Sequence, residues 1–231
     1  MTHDEQKRAA GEAAVDRYVR DGMCIGLGSG STAYWAIRRV GERVAEGETI
    51  AAVATSETTE HLCREWNVPV VGLLDRPIDV AIDGADEVAP DLALIKGAGA
   101  ALFREKCVAL AAARFVVVVD ESKLVAKLGT VATPIEVVPF ALPWVERELT
   151  RAFPAAGQTL RARAGAPVLT DNGNQILDVA FGPLDDPAEL AARVLAIHGV
   201  VDIGIFIGLA DEAIVADATH VWTIDGVRAA G

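Results

Sequence analysis

The chain has 231 residues, 52% of them hydrophobic, and a formal net charge of −12 at pH 7. This length and apolar content predict one sizeable α/β domain, with or without a smaller companion, and exclude an intrinsically disordered chain. The acidic balance argues against binding to nucleic acid or to a membrane surface, since both need a basic surface. The polar start "MTHDEQKRAA" is unlike a signal peptide, and every apolar run is too short to span a membrane, so we expect a cytoplasmic protein.

The first 120 residues alternate between helical and strand patterns. Helical spacing of apolar residues covers 4–20, 31–47, 56–66 and 97–113, and Ser56 is expected to cap the third of these helices. Largely apolar strands cover 23–28, 50–56, 68–73, 79–83 and 115–120. The alternation predicts a doubly wound, mostly parallel sheet of the Rossmann-like type. Such sheets bind ligands beyond the carboxyl ends of their strands, where polar residues of this chain fall, including the Thr55-Ser56 end of the second strand.

The pattern changes after about residue 130 to that of a small α+β domain. Its predicted elements are, in order, a strand in 133–141, a helix over 143–153, a hairpin in 167–181 that turns at 171–174, a helix near 187–197 and a strand over 200–208. This order is typical of a ferredoxin-like domain. Two short strands in 213–224 are expected to return to the first sheet. We therefore predict a Rossmann-like catalytic domain at 1–130 and 209–231, and a small α+β domain at 131–208.

The glycine-rich stretch "GLGSGSTA" (26–33) joins a predicted strand to a predicted helix. It lacks the third glycine of a dinucleotide fingerprint, because Ser31 occupies that position, and it lacks the lysine of a nucleotide P-loop. Backbone N–H groups at a helix start favour an anion, and the hydroxyls of Ser29, Ser31 and Thr32 add donors, which suits a single phosphate. The alternative is a tight turn in which a serine or threonine caps the helix.

The stretch "DVAIDGADEV" (79–88) crowds four acids at the end of a buried strand. Asp79 opens the strand and is interpreted as structural. Asp83 and Asp86 end it, and Glu87 is either solvated or holds a neighbouring loop. A divalent-metal site at Asp83, Asp86 and Glu87 is an alternative, but the nearby lysines favour anion chemistry.

The stretch "LIKGAGAALFREK" (94–106) contains Lys96 and the triplet Arg104-Glu105-Lys106. Lys96 precedes a glycine-rich helix start, from which it can reach into a cleft or extend to the surface. The positions three and four residues from Glu105 are all apolar: Ala101, Leu102, Val108 and Ala109. Burial among them would raise the pKa of a carboxylate and suit a general base. Arg104 and Lys106 have equally apolar neighbours, so a solvated charge cluster remains an equal interpretation.

The cysteines and histidines show no metal-ligand spacing. We expect buried free thiols at Cys24, Cys63 and Cys107. The histidines are expected at the surface or as satisfied core residues, at His3, His61, His198 and His220.

Five motifs occur together in a recognisable order and spacing: "GLGSGSTA", "DGADEV", "IKGAGAAL" with "REK", "DESK" and "TDNGN". From about residue 5 to its C-terminus the chain resembles ribose-5-phosphate isomerase, type A, and "DGADE" with the "REK" helix is the specific part. The resemblance implies interconversion of D-ribose 5-phosphate and D-ribulose 5-phosphate in the pentose phosphate pathway. It also implies that no metal or cofactor is needed and that the protein is a homodimer or a dimer of dimers.

The resemblance also implies roles for individual residues. Glu105 matches the general base. Phosphate and sugar contacts match Ser29, Gly30, Ser31, Thr32, Lys123 and Lys7. The family residues that line the end of the site nearest the sugar are matched here by Asp83, Gly84, Ala85, Asp86, Lys96, Gly97, Ala98 and Gly99. Serine stands at 29 where threonine is usual, and alanine at 98 where glycine is usual; neither change removes a chemical group.

These assignments agree with the chemistry of an aldose–ketose isomerase. One carboxylate can carry a proton between adjacent carbons through an enediolate, and we expect Lys96 and amides at the start of the 97–113 helix to stabilise its oxyanion. Asp83 and Asp86 would bind sugar hydroxyls and move a hydroxyl proton. The rival functions are another sugar-phosphate isomerase or deaminase of the same fold, which would place a histidine in the site, and a non-enzymatic sensor, which need not keep Glu105 with Lys96.

Overall fold

The computed structural model describes residues 1–226 and divides the chain into two compact units. The first unit comprises Met1–Ala85, Arg104–Leu124 and the chain from Gly208 onward, and the second comprises Asp86–Phe103 and Val125–Ile207. Sequence analysis placed the whole of 1–130 in the first domain. The structure instead assigns 86–103 and 125–130 to the second unit. Two short strands within 86–103 pair with each other, and the second of them also pairs with a third strand of that unit.

The helices within residues 1–226 are α1 (His3–Tyr18), α2 (Ser31–Ala45), α3 (Glu57–Glu65), α4 (Leu102–Ala111), α5 (Leu142–Ala152) and α6 (Pro187–Leu195). The strands of the same residues are β1 (Cys24–Leu27), β2 (Ala51–Ala54), β3 (Val80–Asp83), β4 (Glu87–Val88), β5 (Leu94–Ile95), β6 (Phe115–Asp120), β7 (Thr133–Val137), β8 (Gly157–Leu160), β9 (Ala162–Arg163), β10 (Ala166–Pro167), β11 (Gln175–Ala180), β12 (Val200–Ile203), β13 (Ile205–Phe206), β14 (Glu212–Ala216) and β15 (Val221–Asp225). In the described part of the chain, no helix has both the length and the apolar composition needed to cross a membrane.

The first unit is built on a six-stranded sheet in the order β15-β14-β6-β3-β1-β2. All neighbouring strands are parallel except the antiparallel pair β14 and β15. The doubly wound, mostly parallel sheet is therefore confirmed, as is the return of the tail strands to it. Every residue of β6 is buried, as expected from the apolar run over its first five residues, and the strand ends at the buried Asp120.

Two predicted elements of this half of the chain are wrong. The expected strand at 68–73 makes only an isolated bridge, between Val70 and Ala52, because the amide of Gly72 turns to the side chain of Asp75. The helix expected from residue 97 begins at Leu102. Residues 97–100, which were expected to open the helix, instead form a turn. In this turn Gly97 and Ala100 have φ values of 113° and 59°, which do not occur in a right-handed helix. By contrast, Ser56 caps α3 as predicted, accepting a hydrogen bond from the amide of Thr59 at 3.0 Å.

The second unit contains an antiparallel sheet in the order β12-β7-β11-β8, with α5 and α6 between its strands along the chain. The strand and helix order confirms the predicted ferredoxin-like type. The predicted hairpin partner of β11 is wrong, because β11 pairs with β8 and the segment before the 171–174 turn adds only a bridge from Leu169 to Gln175. The intervening chain forms its own two-stranded ribbon, β9 and β10, around a turn in which Ala164 and Gly165 both have positive φ.

A three-stranded sheet in the order β13-β5-β4 completes the second unit. The strand predicted at 200–208 is divided at Gly204, so β12 joins the four-stranded sheet and β13 joins this one. A Cβ atom at Gly204 would lie 2.1 Å from the carbonyl oxygen of Lys96, so glycine allows the close approach of these backbones. The amide of Lys96 donates to the carbonyl of Gly204 at 2.8 Å and that of Asp86 to Ile95 at 2.7 Å, which fixes the backbone at two candidate residues.

Candidate active site

A cluster of hydroxyl groups lies at the carboxyl ends of β1 and β2 in the first unit. The hydroxyl oxygen of Ser29 lies 2.9 Å from those of Thr55 and Ser56, and 3.2 Å from that of Thr59. Thr59 also donates to the carbonyl of Gly28 at 2.8 Å. The hydroxyl group of Ser29 thus anchors the loop after β1. Sequence analysis noted the polar end at Thr55 and Ser56 but did not include these residues or Thr59 in the site, although adjacent strand ends were the signal for them.

Asp83 is the last residue of β3 and is 3% exposed. Its Oδ1 accepts hydrogen bonds from the amides of Ser29 at 3.1 Å and Gly84 at 2.7 Å. A Cβ atom at Gly28 would lie 1.9 Å from this oxygen, so the approach of the loop to the carboxylate requires glycine there. Gly84 and Ala85 follow, both half-buried.

The start of α2 fits the anion interpretation of the glycine loop better than the capping alternative. The N-cap residue is Gly30, with φ 96°, and no side chain caps the helix. Ser31 is exposed in the first turn, and Thr32 is 9% exposed. The first-turn amides of α2 therefore lack the side-chain acceptor that a serine or threonine cap would supply, as expected of a helix start that receives an anion.

Glu105 is the buried member of the Arg104-Glu105-Lys106 triplet. It is 5% exposed, whereas both basic neighbours are half-buried. A gap in the first unit, too narrow to admit a water molecule, is lined by Gly26, Gly28, Thr55, Asp83, Glu105 and Phe115, among others. The structure thereby resolves the ambiguity of the sequence, because Glu105 is the buried charge of the triplet and the solvated-cluster alternative fails for it.

Two candidate phosphate lysines lie on other elements of the first unit. Lys7 is half-buried on α1, and Lys123 is half-buried in the short 3-10 turn that follows β6. Asp120 caps this turn, because its Oδ1 accepts from the amide of Ser122 at 3.1 Å and from the hydroxyl of the same residue. The turn therefore gives Lys123 a fixed backbone.

The second unit carries the remaining candidates. Lys96 is 3% exposed, and its Nζ lies 5.6 Å from the ring centroid of Phe206, so the alternative of a solvent-directed lysine is wrong. Asp86 is half-buried and accepts a hydrogen bond from the amide of Ala98 at 2.9 Å. Gly97 is buried, while Ala98 and Gly99 are exposed, so the extra methyl group of Ala98 lies on an open part of the turn. Sequence analysis missed Arg161, which contacts this turn from 63 positions along the chain.

The other two acids of the 79–88 stretch have structural roles. Asp79 accepts from the amide of Cys24 at 2.9 Å, as interpreted. Glu87 is 1% exposed and holds a neighbouring loop, accepting from the amides of Gly129 and Val131 at 2.7 Å and from the hydroxyl of Thr130. Residues 1–226 contain no group of three or more histidine, cysteine, aspartate or glutamate side chains arranged to hold a metal ion.

The cysteines and histidines lie outside this chemistry. Cys24 and Cys63 are buried free thiols as predicted, whereas Cys107 is only half-buried. Burial raises the pKa of Cys63 to about 12, with the charge of Glu60 as the smaller cause, so this thiol stays protonated and unreactive at neutral pH. His3, His61, His198 and His220 are all exposed, which agrees with their predicted surface roles and disfavours the histidine-dependent rival.

The first unit combines a mostly parallel sheet with an uncapped helix start after a glycine loop, and it carries a buried aspartate and a buried glutamate. These features are those of an α/β enzyme that acts on small molecules. The family model described as ribose 5-phosphate isomerase A (phosphoriboisomerase A) matches residues 51–220. The chain belongs to this family, and it is an isomerase.

Individual relatives cover almost the whole chain. Ribose-5-phosphate isomerase A of Natronomonas pharaonis is 48% identical over 97% of this chain and 96% of its own length, and that of Bartonella quintana is 46% identical over 92% of both. The solved ribose 5-phosphate isomerase from Plasmodium falciparum has a TM-score of 0.93 and 35% identity, covering 96% of this chain and 98% of its own. A D-ribose-5-phosphate isomerase solved in complex with phospho-erythronic acid has a TM-score of 0.93 and 41% identity, covering 97% of this chain and 100% of its own.

Proposed function

We propose that the chain interconverts D-ribose 5-phosphate and D-ribulose 5-phosphate through an enediolate. The observation that carries this proposal is the burial of the Glu105 carboxylate in the first unit, where it and the buried Asp83 line the same narrow gap. Membership of the family supports the substrate, as do the names of relatives that cover nearly all of the chain. The phosphorylated sugar acid bound to one solved relative supports a phosphosugar ligand.

Glu105 is the proposed base. In the open-chain aldose its carboxylate removes the proton from C2, the C2–H electron pair forms the C1–C2 double bond, and the carbonyl oxygen at C1 becomes an oxyanion. The same carboxyl group then returns the proton to C1, using the electron pair of the C1–C2 double bond. The hydroxyl at C2 passes its proton to the oxyanion at C1, so that C1 carries a hydroxyl group and C2 becomes the ketose carbonyl. A positioned base of this kind contributes roughly 10²–10⁴-fold to the rate.

The remaining roles are assigned from the motif matches. We assign to Lys96 the stabilisation of the oxyanion, and to Asp83 and Asp86 the binding of sugar hydroxyls and the transfer of a hydroxyl proton. The backbone of the sugar end is assigned to Gly84, Ala85, Gly97, Ala98 and Gly99. The uncapped start of α2 supports phosphate binding at Gly30, Ser31 and Thr32, with Lys7 and Lys123 as cations. Ser29 fits a supporting role in that loop, since its hydroxyl contacts three others.

The biological setting is part of the same proposal. We assign the chain to the non-oxidative pentose phosphate pathway in the cytoplasm, with a homodimer or a dimer of dimers as its assembly and without a metal or cofactor. Sedimentation equilibrium of the purified protein tests the assembly, and a monomer at assay concentration would contradict it.

The test is an isomerase assay with ribose 5-phosphate in the presence of EDTA. We expect wild-type turnover in EDTA, and turnover in Glu105→Gln lowered by about 10³-fold, within the range set by loss of a general base, with little change in binding of the substrate. Glu46→Gln, an exposed glutamate at the end of α2, is the matched control and should keep full activity. A fully active Glu105→Gln would remove Glu105 as the base, and activity restored only by a metal would contradict the metal-free mechanism. Binding of ribose 5-phosphate without any turnover by the wild type would instead identify a sensor.

A further inference from the structure

The turn formed by residues 97–100 in the second unit is strained and needs support. Gly97 and Ala100 both have positive φ, 113° and 59°, and the second of these is uncommon for a residue with a Cβ atom. One internal hydrogen bond closes the turn, from the amide of Ala100 to the carbonyl of Gly97 at 3.0 Å. Side chains from elsewhere in the unit supply further support.

Arg161 holds the carbonyl side of this turn. Its Nη1 donates to the carbonyl oxygens of Gly97 at 2.7 Å and Ala98 at 3.0 Å. The backbone of Arg161 is fixed in turn, because its amide donates to Ile176 at 2.8 Å and its carbonyl accepts from Val168 at 2.9 Å. The side chain is 17% exposed, so these hydrogen bonds are only partly open to competition from water.

Asp178 on β11 orients the guanidinium group of Arg161. Nε of Arg161 donates to one carboxylate oxygen of Asp178 at 2.9 Å, and Nη2 donates to the other. This two-point pairing sets the plane of the guanidinium group. The guanidinium group therefore binds Asp178 through Nε and Nη2, and it binds the two carbonyls of the turn through Nη1.

The peptide between Gly97 and Ala98 connects Arg161 to a candidate catalytic residue. Its carbonyl accepts from Arg161, and its N–H donates to Oδ2 of Asp86 at 2.9 Å. Hydrogen bonds at the two ends of one peptide group polarise each other, so the cation strengthens the bond to the carboxylate. In the next peptide the carbonyl of Ala98 faces Arg161, and the N–H of Gly99 is directed the opposite way because the bond is trans.

We propose that Arg161, oriented by Asp178, is a positioning residue for the isomerisation, which fixes the 97–100 turn and, through the Ala98 amide, the carboxylate of Asp86. The inference rests on the proposed function, because Asp86 and this turn are assigned to the sugar end of the substrate. The side chain of Arg161 donates hydrogen bonds to the turn and to Asp178, so we assign it a role through the turn.

The test compares the kinetics and folding of Arg161→Ala, Arg161→Lys and Asp178→Asn with those of Arg163→Ala. Arg163 is exposed two positions further on and is the matched control. We expect kcat of Arg161→Ala to fall by about 10- to 100-fold, as for a misplaced reacting group, with a smaller change in KM. Arg161→Lys should recover only part of this loss, since an ammonium group cannot pair with Asp178 and both carbonyls in the same geometry. Asp178→Asn should lose less than Arg161→Ala, and Arg163→Ala should match the wild type.

Chemical rescue separates positioning from a merely structural role. Guanidinium ion at low millimolar concentration should restore part of the kcat of Arg161→Ala, whereas sodium chloride at the same concentration should not. A kcat of Arg161→Ala equal to that of Arg163→Ala would overturn the proposal, as would a loss that follows only the unfolded fraction and is not rescued. If Arg161→Ala does not fold, an unchanged kcat in Asp178→Asn overturns it.

Failure of the proposed function would be visible separately. An inactive wild type contradicts the isomerase assignment alone, and the turn can then be followed by the ¹H–¹⁵N resonance of Ala98. That resonance should shift in Arg161→Ala and stay in place in Arg163→Ala. An unshifted Ala98 resonance would overturn the role of Arg161 in the turn, whatever the activity.

Discussion

The loop between β1 and α2 in the first unit and the 97–100 turn in the second unit are both glycine-rich, but different chemistry holds them. The first is held mainly by neutral groups, because the hydroxyl of Ser29 lies beside three other hydroxyls, and by one carboxylate, Asp83, which accepts from the Ser29 amide. The second is held between two charged side chains, Asp86 and Arg161. A cluster of four hydroxyls can lose one member and keep the others, whereas loss of Asp86 or Arg161 removes a charged partner from the peptide groups of the turn.

The largest effect that distinguishes the two regions is expected from Gly28→Ala. The new Cβ atom would lie 1.9 Å from Oδ1 of Asp83, so the loop or the carboxylate must move. We expect kcat/KM to fall by about 100-fold from misplacement at the site, with a loss of about 1–3 kcal/mol of unfolding free energy from overpacking. Enzyme kinetics and urea unfolding measure the two effects.

The control for this change is Gly157→Ala, since an added Cβ there meets only Ala180 at 3.9 Å. It should keep the wild-type kcat/KM. Wild-type kinetics in Gly28→Ala would mean that the close approach of the loop to Asp83 has no part in the reaction.

A smaller effect, on stability rather than chemistry, is expected from Glu87→Gln in the second unit. The buried carboxylate accepts three hydrogen bonds from residues 129–131, and an amide would set an N–H group against one of these donors. One unsatisfied buried donor costs about 1–3 kcal/mol, so the urea midpoint should fall. Glu146→Gln, on the half-buried face of α5, is the comparison variant and should leave the midpoint unchanged. Equal midpoints for the two variants would show that the loop does not depend on Glu87.

The smallest effect is expected from Ser29→Ala, which can be compared directly with Arg161→Ala. The variant removes one of four neighbouring hydroxyls, while the amide of residue 29 can still donate to Asp83. We expect a loss of about 1 kcal/mol in unfolding free energy, the usual value of one hydrogen bond, and a change in kcat well below that of Arg161→Ala. A loss of kcat equal to that of Arg161→Ala would contradict the distinction between a redundant neutral cluster and a turn held by single charges.

Elements with a local sequence signal were predicted correctly, whereas elements whose pairing depends on distant contacts were not. The strand at 115–120 was predicted to the residue, because a run of buried β-branched side chains is a local pattern. The predicted hairpin partner of β11 was wrong, because the competing strand β8 lies further back along the chain and has two exposed and two half-buried residues. The helix start at 97 was wrong for a different reason, since apolar spacing does not reveal positive φ at Gly97 and Ala100.

The alternating α/β pattern, the order of a ferredoxin-like domain and the family motifs could all be predicted from the amino-acid sequence. They depend on periodicity, on glycine positions and on motif spacing, which are properties of residues close together in the chain. Only the tertiary structure decided that Glu105 is the buried charge of its triplet, that Glu87 holds a loop, and that Arg161 supports the 97–100 turn. Each of these depends on which distant segment packs against the side chain. The local sequence does not specify which distant segment packs against a side chain. That contact is set in the folded chain, where buried polar groups must find hydrogen-bond partners.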